Sequence, residues 1–169
     1  MTAFQTAGPD DIEVIQSLSH EIWNLHYPDV ISREQIDYML ELMYSAEAIR
    51  TDMTEKHITY KIVLHDGRPA GYLAWGPEGK GVYKLHKCYL HPDVHGEGIG
   101  QEMLSHVREQ LELKDAEVLL LAVNKQNAQG IRAYERFGFE RCDSVVNDIG
   151  HGFVMDDYIM RYDLKKGSV

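Results

Sequence analysis

The sequence predicts an α/β (α+β) fold, a mixed and mostly antiparallel sheet of roughly six to seven strands with a central parallel pair and about four helices. Three observations carry that expectation. Between His57 and Leu90 lie three successive segments rich in β-branched and aromatic residues, separated by turn residues. From Gly98 the apolar spacing becomes helical, with Ile99, Met103, Leu104, Val107 and Leu111 on one face. An unbroken apolar run, Val118–Val123, follows that helix. Strand, helix and strand in that order imply a parallel pair joined by a right-handed crossover.

The elements follow in chain order. "TAFQTA" reads as a short first strand. Asp10 or Asp11 is placed to cap a helix running to about Leu25, with Ile12, Ile15, Leu18, Ile22 and Leu25 at helical spacing. A second helix is expected after Ser32, supported by Glu34 in its first turn and by Ile36, Met39, Leu40 and Met43. "HITYKIVLH" and "RPAGYLAWG" are strands joined by an Asp66-Gly67 hairpin, and "PEGK" (Pro77 to Lys80) is read as the turn into "GVYKLHKCYL". The run Val118–Val123 is expected to be a strand covered on both faces. "NAQGIRAYERFG" is a short helix with Asn127 at its N-cap and Gly138 past its end. "FERCDSVV" and "FVMDDYIMRYDL" complete the sheet.

Composition bounds the function classes. A chain of 169 residues can bury one sizeable core, so a single domain spanning 1–169 is expected. The net charge of −10 disfavours nucleic acid as a partner and favours a cationic one. No apolar run approaches the roughly 18 residues of a membrane span. The start "MTAFQTAGPDD" has no basic region followed by an apolar stretch, so no secretory signal is expected. Two cysteines, Cys88 and Cys142, make a poor disulfide framework and suggest a reducing, cytoplasmic setting.

The stretch "HPDVHGEGIGQEML" (His91 to Leu104) sits between a strand and a helix and places glycine at 96, 98 and 100. Glycine in a helix is unfavourable by about 1 kcal/mol relative to alanine, so bare backbone is needed there. Alternate glycines let an anion approach the N–H groups and positive dipole of a helix start, and a phosphate or pyrophosphate suits such a place. A structural glycine turn fits the same residues. Spacing separates the phosphate loops. A P-loop requires Gly-Lys-Ser/Thr, whereas Gly100 is followed by Gln101-Glu102. The dinucleotide fingerprint requires G-x-G-x-x-G and an acid after the next strand, whereas that strand ends in Val123-Asn124.

The stretch "HGEGIG" resembles the acetyl-CoA loop of the GCN5-related N-acetyltransferase superfamily, Arg/Gln-x-x-Gly-x-Gly/Ala, with His95 where Arg or Gln is usual. "NAQGIRAYERFGF" is similar to the family's second signature through Asn127, Tyr134 and Gly138-Phe139, with Gly130 in place of the commoner alanine. The resemblance implies a sheet whose parallel strands splay around acetyl-CoA, with 1–55 forming the substrate side, 56–140 the cofactor-binding core and 141–169 the closing strands. It implies that the backbone of Cys88, Tyr89 and Leu90 meets the pantetheine amides and that His95, Gly96, Glu97, Gly98, Ile99, Gly100 and Gln101 surround the pyrophosphate. Asn124 and Asn127 would meet the cofactor arm. The implied reaction is direct transfer of acetyl from the thioester to an amine.

That reaction needs an acid for the leaving thiolate and a route for the amine's proton. Tyr134 is the implied acid, since a phenol of pKa about 10 can donate to a thiolate of about 8.5. Many relatives carry glutamate early in the fourth strand, where Lys84 stands here. His86, two residues on, is the first candidate base, with Glu21, His26 and Asp29 as others. His91 and His95 lie in a proline-containing turn without a completing acid or cysteine, so no metal is expected. Cys88 carries no nucleophile signature. Trp23, Tyr27, Tyr38 and Tyr44 among acids suit a small cationic amine. The N-terminal helices and "HGFVMDDYIMRYDL" look similar to the spermidine/spermine branch, which makes a polyamine the favoured acceptor. Many family members are dimers, so a homodimer is one expected state. A catalytically silent acetyl-CoA sensor, or a partner-binding module, is the alternative on the same fold.

Overall fold

The computed structural model describes residues 1–165, so the last four residues of the expected third segment, 166–169, lie outside the described residues. Seven strands form one sheet in the order β1-β2-β3-β4-β5-β7-β6. They are β1 Thr2–Ala7, β2 Thr59–His65, β3 Arg68–Gly79, β4 Val82–Leu90, β5 Val118–Asn124, β6 Glu140–Gly150 and β7 Phe153–Asp163. Five α-helices accompany them: α1 Ile12–His26, α2 Arg33–Tyr44, α3 Ala46–Thr54, α4 Ile99–Glu112 and α5 Ala128–Phe137. Contacts group the chain into two compact units, Met1–Gly76 with Lys87–Met103, and Pro77–His86 with the chain from Leu104 onward.

In the first unit β1 pairs antiparallel with β2, and β2 with β3. Asp66 (φ 51°) and Gly67 (φ 81°) are both left-handed, as a two-residue type I′ hairpin requires. The helix α1 buries Ile12, Ile15, Leu18, Ile22 and Trp23. Leu25, expected on that face, is exposed, and Tyr27 just past the helix end is buried instead. Asp11 does not cap α1 through its side chain; its Oδ2 accepts from Gly8 N at 2.9 Å and holds a short 3-10 turn over Pro9–Asp11. Ser32 caps α2 as expected, its Oγ accepting from Gln35 N at 3.1 Å. The sequence reading missed α3. Ser45 is extended (φ −62°, ψ 155°), so it ends α2 and caps α3 by accepting from Ala48 N. A serine followed by Glu47 was the available signal.

In the second unit the parallel ladder runs from Val82 opposite Val118 to Leu85 opposite Leu121, three residues short of the end of β5. The strand β7 pairs antiparallel with β5 and with β6. The turn into β4 is not at Pro77–Lys80. Pro77, Glu78 and Gly79 belong to β3, and the chain reverses at Lys80-Gly81, where Gly81 takes φ 73°. The strand β5 is fully covered on one face, by burial of Leu119, Leu121 and Val123, and only partly on the other, where Val118 is buried and Leu120, Ala122 and Asn124 are half-buried. In α5, Asn127 Oδ1 accepts from Gly130 N at 3.0 Å and Gly138 ends the helix at φ 125°, as the sequence predicts.

Candidate active site

The glycine loop lies in the first unit. From the end of β4 the chain passes through a 3-10 turn over Pro92–Val94 before α4. Gly96 (φ 84°) and Gly98 (φ 81°) occupy backbone that a side-chain residue rarely adopts. Gly100 is in the first turn of α4 and has no such need. At all three positions the space that a Cβ would fill is open for 4 Å. Two glycines are therefore set by the shape of the loop, and the third leaves the helix start bare. Glu102 N donates to Gly98 O at 3.2 Å as the first intrahelical bond, so the N–H groups of Ile99 and Gly100 lie ahead of the helix ladder. Ile99 is buried and anchors that end, while Glu97 is half-exposed with Oε1 3.8 Å from His65 Nε2. The arrangement is a cradle of donors with room for an oxyanion, so these residues fit a pyrophosphate.

His95 has a definite local role. Its Nε2 donates to Leu90 O at 2.8 Å and ties the loop to the strand end. His91 Nδ1 accepts from Asp93 N at 3.1 Å, which leaves Nε2 to donate to Glu21 Oε1 at 2.9 Å. Both histidines thus organise the exit from β4, and Glu21, a candidate base, is engaged by one of them. Cys88 is half-buried. Tyr89 Oη lies 3.0 Å from Tyr27 Oη. The carbonyl of Tyr89 packs so close to Gly71 that any Cβ there would collide with it, a requirement that the sequence reading missed.

The aromatic residues expected to bind a cation are mostly core. Trp23 and Tyr44 are 1% exposed. Trp23 Nε1 donates to Tyr72 Oη at 3.2 Å, and Tyr72 Oη donates to Tyr44 Oη at 2.8 Å. Burial holds both phenols well above their ordinary range, so this chain stays neutral. The cation beside Tyr44 is the protein's own Lys87, whose Nζ sits 3.9 Å from the ring centroid. Lys87 donates to Tyr60 Oη at 2.8 Å and Met43 O at 3.2 Å, and lies 3.7 Å from Asp52 Oδ2. Burial pulls its pKa down to about 8 against the opposing pull of Asp52. Tyr38 remains half-exposed on α2.

The second unit holds the other expected residues. Tyr134 is half-buried on α5, edge-on to Phe139 at 5.8 Å. Asn124 Oδ1 accepts from Gln126 N at 2.9 Å and shapes the turn into α5. A Cβ at Gly130 would come 2.6 Å from Asn127 Nδ2, so glycine at 130 is what leaves that amide its position. His86 is half-buried with Nε2 3.9 Å from Glu78 Oε1.

A family model described as the acetyltransferase (GNAT) family matches residues 17–139. The chain belongs to the acetyltransferase (GNAT) family. That match includes the glycine loop, β5 and α5, and ends at Phe139 of the second signature. Among curated proteins, the spermidine N(1)-acetyltransferase of Thermoplasma acidophilum is 23% identical over 87% of this chain and 91% of its own. An uncharacterised N-acetyltransferase of Methanocaldococcus jannaschii is 29% identical over 47% of this chain. That alignment spans only 38% of the relative's length. Among solved structures, the PaiA N-acetyltransferase of T. acidophilum in complex with coenzyme A superposes with a TM-score of 0.82 at 21% identity, covering 96% of this chain and 99% of that one. The GNAT fold expected from the sequence, with its mixed sheet and single parallel pair, is the fold observed.

Proposed function

We propose that this protein transfers acetyl from acetyl-CoA to a small cationic amine, with a polyamine favoured. The observation that carries the reading is the α4 start. Two left-handed glycines and a third with open Cβ space present unsatisfied N–H groups in a chain of this family. The coenzyme A bound to the PaiA neighbour and the spermidine activity named for the curated relative support it. The net charge of −10 favours the same acceptor. The chain 1–169 acts in this reading as a single N-acetyltransferase domain, with its substrate side in 1–55, and as a cytoplasmic protein.

Acetyl-CoA brings the activated acyl group; the residues of this chain bind it, orient it and move protons. Gly96 to Gln101 hold the pyrophosphate, chiefly through backbone N–H groups, while His95, whose own N–H donates to Pro92 O, fixes the loop to Leu90 through its side chain. The backbone of Cys88–Leu90 meets the pantetheine amides, Asn124 and Asn127 the cofactor arm. Tyr134 donates the proton that the leaving thiolate takes. The amine's proton passes to a further acceptor in this chain, for which sequence alone puts His86 first.

The test is thiol release from acetyl-CoA with a panel of amines and a no-amine control, on wild-type protein and Tyr134→Phe. The variant should keep acetyl-CoA affinity and lose turnover by roughly 10- to 10,000-fold. Unchanged turnover removes Tyr134 from the acid role. Cofactor binding without turnover on any amine supports the sensor reading instead.

A further inference from the structure

We infer that Asp157, not His86, takes the proton of the acceptor amine. The inference rests on the acetyl-transfer reading and names the group that completes its chemistry.

Asp157 is a carboxylate with 2% exposure in the middle of β7. A buried carboxylate is costly unless it is paired or neutralised. Among the described residues, its oxygens enter no hydrogen bond and no salt bridge. The neighbouring lysine does not serve it, because Lys125 Nζ is held by Asp156 at 2.8 Å. Its direct partner across the ladder is Asn124, at the end of β5. Residues opposite one another share a face, and that face of β5 (Leu120, Ala122, Asn124) is the half-open one. Lys84 lies opposite Leu120 on the same face, and His86 follows two residues on. A buried acid therefore stands on the partly covered face of the sheet with no ion pair in contact with it, and an incoming ammonium supplies one.

The charges that act on Asp157 come from β7 itself, from β4 and from the turn after β5. Burial raises its pKa most, Asp156 adds to the rise, and Lys84 and Lys125 oppose it. From β6, apolar Val145 lies directly opposite, with Asp143 two positions along. The raised value brings the carboxyl nearer to the pH at which it must exchange a proton with an amine.

The step balances as follows. The ammonium gives one proton to the Asp157 carboxylate. The neutral nitrogen then bonds to the acyl carbon, and the carbon–sulfur bond breaks with its electron pair on sulfur. Tyr134 gives its proton to the thiolate, the second nitrogen proton returns to the Tyr134 oxygen, and Asp157 releases its proton to water.

Asp157→Asn, Asp157→Glu and His86→Gln, each in the full chain, test this with spermidine and acetyl-CoA. Asp157→Asn should lower kcat by roughly 100- to 10,000-fold, leave acetyl-CoA affinity by calorimetry unchanged, and abolish the acid limb of the kcat/KM pH profile. Asp157→Glu should keep that limb, and His86→Gln should retain it at the wild-type position. The inference is overturned if Asp157→Asn keeps the wild-type profile, if Asp157→Glu loses the limb, or if His86→Gln removes it. Wild-type turnover with an unaffected Asp157→Asn overturns this inference alone. A wild type that acetylates no amine overturns the acetyl-transfer reading and this inference with it.

Discussion

Single residues in this protein act through what their backbone or side chain leaves unoccupied. Gly98 is left-handed, so Gly98→Val would confound loop strain with blocked access, whereas Gly100 is not, and Gly100→Val isolates the blocking of the α4 start. Calorimetry with coenzyme A should show Gly100→Val binding more weakly than wild type while the melting temperature changes little. Normal binding would remove the phosphate reading of this loop. Gly130 is the converse case, since its missing Cβ leaves room for the Asn127 amide 2.6 Å away. An alanine there gains about 1 kcal/mol of helix propensity and pushes on a cap worth about the same. Gly130→Ala should therefore give no net stabilisation in urea, and a full 1 kcal/mol gain would show that Asn127 moves aside without cost.

At the scale of elements, Lys87 links β4 to α2 through Met43 O, to β2 through Tyr60 and to α3 through Asp52. Its folded pKa of about 8 lies below the ordinary 10.5. The folded state thus binds fewer protons than the unfolded one in that window, and stability rises with pH between about 8 and 10.5. Lys87→Met should flatten that slope and, by leaving the Met43 carbonyl without its donor, cost about 1–3 kcal/mol near neutral pH. Melts across pH would show both. These same elements mark how far the sequence could be read. The caps at Ser32 and Asn127, the Asp66-Gly67 hairpin and the β-α-β centre were legible because each is a local signal. The break at Ser45 left only the weak trace of a serine followed by Glu47, since serine inside an amphipathic run also reads as a solvent-facing position until its backbone is seen. Pro77 looked like a turn, but a strand residue whose N–H is not required tolerates proline. The partners of Lys87 and the burial of Asp157 were invisible because they depend on contacts between elements distant in sequence.

For the whole molecule, charge and buried acid set the expected behaviour. With a net charge of −10, a cationic acceptor is drawn in electrostatically, so kcat/KM for a polyamine should fall as salt rises above the roughly 10 Å screening regime of 0.1 M. A neutral-tailed amine should show a flatter salt dependence. Asp157 has the opposite sign to an ordinary salt-bridged acid. Its raised folded pKa gives stability that is fully present below the unfolded value near 3.9 and is lost as pH rises through the folded value. Asp157→Asn should accordingly melt at or above the wild-type temperature at neutral pH, even as it loses activity. The central claim, acetyl transfer to a cationic amine, is met most directly by thiol release from acetyl-CoA across a panel of polyamines, aminoglycosides, amino acids and peptide N-termini. Release that depends on a polyamine and is absent without amine is the result this account predicts. Release with neutral or peptide amines but not with polyamines, or none with any amine despite bound acetyl-CoA, would contradict it.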